Sequence, residues 1–103
     1  MKFSEIAKGS WFVDFSSIGS LLCQKVKEDV SLTDNGLPRT HIYEKTVYVP
    51  QKLETVKIGA KFRIVGEDNI SSIYEKLAHN IVVDPAGMEV LPSFFQDKIC
   101  FEV

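Results

Sequence analysis

"KFSEIAKGSWF" runs from Lys2 to Phe12, and "KLETVKIGAKF" runs from Lys52 to Phe62. Lys, Gly and Phe return fifty positions later, and the apolar Phe3 and Ile6 return as Leu53 and Val56. The echo then continues in order. Cys23-Gln24-Lys25-Val26 returns as Tyr74-Glu75-Lys76-Leu77, and Val30 to Gly36 return as Ile81 to Gly87, at an offset larger by one. Val47-Tyr48-Val49 corresponds to Ile99-Cys100-Phe101, at an offset larger by one again. Drift confined to the stretches between matched blocks is what loop insertions produce. The pattern reads as a tandem duplication, with a first copy over 1–51 and a second over 52–103.

Each half reads mostly as strands. Trp11 to Phe15 and Lys61 to Val65 are short apolar or aromatic runs, Val30-Ser31-Leu32 alternates, and Thr46 to Val49 is β-branched and aromatic before Pro50. Asp34-Asn35-Gly36 and Asp84-Pro85-Ala86-Gly87 are turns, since Asn and Gly tolerate positive φ and Pro presets the first corner. Gly9 and Gly59 each precede an aromatic strand and are expected at positive φ. The competitor for helix is Asp68 to Asn80, where Ile70, Ile73, Tyr74 and Leu77 recur at spacings of three and four and Asn69 or Ser71 offers a cap. Its partner, Ser17 to Asp29, reads as a strand, and duplicated segments share a fold. Ser72 to Leu77 is therefore expected as strand.

Four or five short strands per half, with turns every eight to twelve residues, predict a mainly β chain of two small antiparallel barrels packed as one compact unit. The order of Phe3, Ile6, Gly9, Phe12, Lys25, Gly36, Val47 and Val49, and again of Leu53, Val56, Gly59, Phe62, Lys76, Gly87, Ile99 and Phe101, resembles short SH3-like barrel proteins of bacterial and phage genomes. The resemblance implies an architecture. Function has to be argued from a site.

Composition narrows the classes. The chain has 103 residues, 45% hydrophobic and 25% charged, which matches an ordered globular protein. A net charge of -2, divided as six basic and six acidic residues up to Gln51 and six basic and eight acidic from Lys52 onward, disfavours a sequence-independent nucleic-acid binder. No leader-like apolar stretch opens the sequence and no run reaches the length of a membrane helix, so a cytoplasmic protein without a membrane partner is expected. Cys23 and Cys100 are far apart and outside any CxxC or Cys/His cluster, so they are expected as reduced, partly buried thiols at places where the other copy keeps an aromatic, Tyr74 and Tyr48.

The search for chemistry returns little. His41 and His79 lie in no HExxH or nucleophile-elbow pattern and read as exposed loop residues, and the carboxylates are scattered singly or beside turns. The expectation is no enzyme, no cofactor and no metal. The informative residues are those where the copies disagree. After its turn the first half presents Arg39, Thr40, His41, Tyr43 and Lys45, and the second presents Phe94, Phe95, Gln96 and Asp97. Aromatic residues and Arg dominate interface hot spots. Arg39, His41, Tyr43, Lys45, Phe94 and Phe95 are therefore the candidate partner-binding residues, with one of the two phenylalanines also a candidate core plug. Together with the small size and the resemblance they point to a protein-binding module, of the kind a phage or mobile-element accessory protein uses to inhibit a host factor such as a defence system. The alternative is a nucleic-acid-binding barrel using Lys25, Lys27, Arg39 and Lys45, with Tyr43 as a stacking ring.

Overall fold

The structure, a computed structural model, describes residues 1–16, 19–41, 44–67 and 72–103. It is mainly β and holds two antiparallel sheets. In the first, β1 (Trp11–Ser16), β2 (Gly19–Lys25), β3 (Val30–Thr33) and β4 (Pro38–Thr40) pair in chain order. The second contains β5 (Lys61–Ile64), β6 (Tyr74–Ala78), β7 (Ile81–Val83), β8 (Glu89–Val90) and β9 (Cys100–Glu102), in the order β8-β7-β6-β5-β9. Among the described residues neither sheet closes on itself, and β4 and β8 are edges. Within the stretch with helical spacing, Tyr74–Ala78 is a strand, β6, in which Tyr74 and Lys76 turn inward while Leu77 faces solvent; Ser72 and Ile73 precede it outside any strand. The proposed caps Asn69 and Ser71 lie outside the described residues.

The same backbone bonds recur at matched places. Gly9 N–H donates to Lys25 O at 2.7 Å and Gly59 N–H to Lys76 O at 2.7 Å, with the glycines at φ 87° and 90°. A side chain there would be strained, so glycine is the residue that admits this entry to the strand. The β3–β4 and β7–β8 turns also match. Thr33 N–H bonds Leu37 O and Asp84 N–H bonds Met88 O, while the Thr33 hydroxyl and the Asp84 carboxylate each accept a turn N–H.

A buried lysine stands at the centre of each sheet. Lys25 Nζ donates to Phe3 O at 3.1 Å and lies 4.5 Å from the centroid of the Phe3 ring. Lys76 Nζ donates to Leu53 O at 3.0 Å and Val56 O at 2.9 Å. Phe3 and Leu53 open the 3-10 helices Phe3–Glu5 and Leu53–Thr55, so each ammonium ties its sheet to the turn laid across it. A buried ammonium is tolerated where carbonyl oxygens replace its water.

Apolar residues collect in two clusters, one per sheet. Phe3, Ile6, Phe12, Cys23 and Val47 form the first, and Val56, Phe62, Ile64, Tyr74, Val82, Phe95 and Cys100 the second. The opposite face of β1 makes the seam between the sheets. Phe15, Tyr48 and Phe101 meet in edge-on and tilted contacts with centroids 5.4 to 6.1 Å apart, and the Arg63 guanidinium covers Phe15 at 4.7 Å. Gly66 N–H donates to Ser20 Oγ, and Gln51 Nε2 to Glu102, across the same boundary.

The expected strand at Thr46 to Val49 makes only isolated bridges, Lys2 with Thr46 and Val13 with Tyr48. Its register corrects the reading of the cysteines. Val13 faces Tyr48 as Arg63 faces Phe101, and Val47 N–H bonds Met1 O as Cys100 N–H bonds Gln51 O. The position equivalent to Cys100 is therefore Val47, not Tyr48. Cys23 does stand where the second sheet has Tyr74, since Phe12 faces Cys23 and Phe62 faces Tyr74. Both thiols are free and buried, and burial pushes Cys100 up to about 11.

Candidate functional site

The cross-strand ladders allow the two interiors to be compared place by place. Asp14 follows Phe12 on the inner face of β1, where Ile64 follows Phe62 on β5. Ser31 faces Lys25 where Val82 faces Lys76, and Arg39 faces Ser31 where Val90 faces Val82. The first sheet thus carries Asp14, Ser31 and Arg39 at positions that are aliphatic in the second.

These residues fall into two polar groups, Asp14 with Arg39 and Lys45, and Ser31 with His41. Asp14 is only 3% exposed, and Arg39 Nη2 lies 3.3 Å from its Oδ2. Lys45 Nζ lies 2.6 Å from Oδ1, an ionic contact without hydrogen-bond alignment. The side chains of Arg39 and Lys45 are 36% and 33% exposed. One buried anion therefore holds two cations at the surface. His41, 6% exposed, packs its ring 4.7 Å from Phe3 and 5.4 Å from Phe12 and sets Nε2 2.6 Å from Ser31 Oγ. Burial holds its pKa below the ordinary imidazole value, with Asp14 opposing that and Lys45 and Arg39 adding to it. Cys23 is pushed up by burial and by Asp14.

Burying ionised groups costs several kcal/mol each before their mutual attraction is counted, and apolar replacement is often neutral or stabilising. The second sheet shows that an equivalent ladder forms with Ile64, Val82 and Val90. Strand pairing alone does not call for the polar set.

An open cleft of about 290 Å³ adjoins the Asp14 group, lined by Leu21, Thr33, Asp34, Asn35, Leu37, Pro38 and Arg39. Leu21 faces Asp14 across the β1–β2 ladder, and Leu37 is largely exposed. A larger opening of about 440 Å³ lies over Phe95, but its polar side chains, Lys52, Glu54, His79, Asn80, Ser93 and Gln96, are all exposed. It has no buried polar group to orient a ligand. We take the smaller cleft as the candidate site.

The predicted residues divide. Arg39 and Lys45 are brought together, on Asp14. His41 is not the exposed loop residue expected but part of the first core, because Ser31 satisfies its ring nitrogen and two aromatic rings cover it. Phe95 is 1% exposed and packs on Phe62, Tyr74 and Phe94, so it is the core plug of the second sheet. Phe94 stays half exposed, with Lys98 Nζ 4.8 Å from its ring centroid. Tyr43 lies outside the described residues. Lys25, named for the nucleic-acid alternative, is buried and bonded to Phe3 O. Sequence reasoning missed Asp14 and Ser31, although each was visible as a polar residue matched to an aliphatic one, Ile64 and Val82. Among the described residues no group of His, Cys, Asp and Glu side chains is placed to hold a metal ion.

Comparison of the chain with family models, curated proteins and solved structures found no match.

Proposed function

We propose that this chain is a non-enzymatic protein-binding module made of two tandem SH3-like copies, 1–51 and 52–103, and that its first copy carries the binding face. The single observation behind the binding reading is Asp14, buried and holding Arg39 and Lys45 beside an apolar cleft, where the second sheet has Ile64. A buried ionic cluster that strand pairing does not require, with its cations half out of the surface, is a preorganised recognition element, because the side-chain ordering cost falls on folding rather than on binding. The recurring glycine, lysine and turn bonds support the duplication. Each half would be a five-stranded unit, with 46–48 beside β1 in the place that β9 takes beside β5. Occlusion of a host factor's surface, as an accessory inhibitor does, is the form of the reading that the resemblance implies.

A hydrolytic role is disfavoured by burial. Ser31 and His41 sit at hydrogen-bond distance, but Ser31 is fully buried between strands and no substrate reaches its oxygen. Nucleic-acid binding is the second reading, and it loses Lys25 to the interior. Two experiments separate the readings. Labelled DNA and RNA are tested for a mobility shift with the intact chain at low and moderate salt, and affinity capture from lysate is compared for the parent and Arg39→Ala. A protein retained by the parent and lost with Arg39→Ala is expected. A salt-sensitive nucleic-acid shift with no such protein overturns the module reading.

A further inference from the structure

We infer that the cleft beside Arg39 takes an acidic-apolar partner segment, one that sets a carboxylate on Arg39 and an apolar side chain between Leu21 and Leu37. This rests on the protein-binding reading and names the chemistry of the partner. Three features select it. Asp14 holds two cations, so the Asp14–Arg39–Lys45 group keeps one positive charge, and Arg39 is its member in the cleft lining. The guanidinium meets Asp14 through Nη2 at 3.3 Å and the side chain is one-third exposed, which leaves its planar fork able to meet a second carboxylate. The exposed Asp34, also in the lining, repels an acid and so leaves Arg39 as the place for the carboxylate. Leu21, Leu37 and Pro38 add apolar surface to the same lining.

Strand addition is not the mode. β4 is a free edge but only three residues long, and the bonded pairs Thr33 with Leu37 and Asp29 with His41 put the backbone of Arg39 toward Ser31. That leaves Pro38 and Thr40 facing outward, and Pro38 has no N–H to offer. A short edge blunted by proline resists pairing, so recognition falls to the side chains.

The test uses the full chain, labelled with nitrogen-15 and titrated by NMR with two capped peptides, acetyl-Gly-Glu-Leu-Gly-Lys-Gly-amide and the same peptide with Gln for Glu. The Glu peptide is expected to move the amides of Leu21, Leu37 and Arg39 saturably and to bind about fivefold tighter than the Gln peptide at low salt, as one exposed charge pair provides. That preference should shrink in high salt. Arg39→Gln should abolish the preference, and Leu37→Asp, a surface change outside the ion pair, should abolish the shifts. Equal response to both peptides, shifts elsewhere, or no shifts overturn the inference. If the peptides fail while a captured protein still depends on Arg39, the partner chemistry is wrong and the module reading stands. If no protein is captured and nucleic acid shifts instead, the module reading falls whatever the peptides do.

Discussion

Ser31 and His41 meet at 2.6 Å inside the first sheet, and the ladder place of Ser31 is taken in the second sheet by Val82, which is buried in one cluster with Phe95. The ring of His41 is packed on Phe3 and Phe12 as the ring of Phe95 is packed on Phe62 and Tyr74. A polar pair thus starts from a ladder position that is aliphatic in the second sheet. It anchors the segment from which Arg39 and Lys45 reach Asp14.

That pairing makes stability depend on pH. His41 is held neutral in the folded protein by burial, so its folded pKa lies below the ordinary value of 6.5. The unfolded chain then binds a proton at a pH where the folded chain does not, and stability falls as pH drops from about 6.5 toward the folded value. Above that window the contribution is complete. Urea unfolding at pH 7.5 and pH 5 should show the loss, and His41→Phe combined with Ser31→Val should remove this part of it. Ser31→Val alone should cost about 1–3 kcal/mol, because it leaves the imidazole without its partner, whereas the double change should be nearly neutral. A double variant as pH-sensitive as the parent contradicts the assignment.

The adjacent phenylalanines should behave oppositely. Phe95→Ala empties the core of the second sheet and should cost about 3–5 kcal/mol. Phe94→Ala removes a half-exposed ring that touches Phe95 and Lys98, and a loss within about 1 kcal/mol is expected. Chemical denaturation of the two variants settles the order, and any partner affinity should be compared only for Phe94→Ala, which keeps the fold.

Strands and turn glycines were legible because they are local, set by alternation, positive φ and repetition, whereas the inward lysines were not, since Lys25 reads as a surface cation until its ammonium is seen on Phe3 O. The register of the last segment was not. Matching Val47-Tyr48-Val49 to Ile99-Cys100-Phe101 by similarity slips it by one residue, and one residue exchanges the two faces of a strand. His41 was misread because a histidine in a loop carries no mark of the serine ten positions earlier that satisfies it. Asp14 was legible in principle. Its match with Ile64 shows an acid at an inward position, but only the geometry shows that two cations from beyond β3 converge on it.

The lysines should prove structural. Lys76→Met keeps the apolar stem but leaves the carbonyls of Leu53 and Val56 without the ammonium, and a loss of about 1–3 kcal/mol is expected. Lys25→Met removes one carbonyl bond and a contact with the Phe3 ring, so its cost should be similar or smaller. Neither change should alter partner binding once folding is verified. A Lys25→Met chain that folds like the parent but loses a nucleic-acid shift would return that lysine to the surface and favour the alternative reading.

Separating the halves should unfold both. A unit of about fifty residues lies near the lower limit for a free-standing core. Here each half also depends on its neighbour. Cutting after Gln51 strips Phe15 and Tyr48 of Phe101 and Arg63, and it detaches Gln51 from Cys100, with which it exchanges backbone bonds of 2.7 and 2.8 Å. The first fragment would expose the outward face of β1, including Val13, which is fully buried in the intact chain. Fragments 1–51 and 52–103 should therefore give poorly dispersed NMR spectra singly. Dispersion should return on mixing if the aromatic seam supplies enough contact area to repay the loss of the covalent link. A well-dispersed spectrum from either fragment alone would mean that its cluster suffices without the seam, and that the two halves are independent domains rather than one cooperative unit.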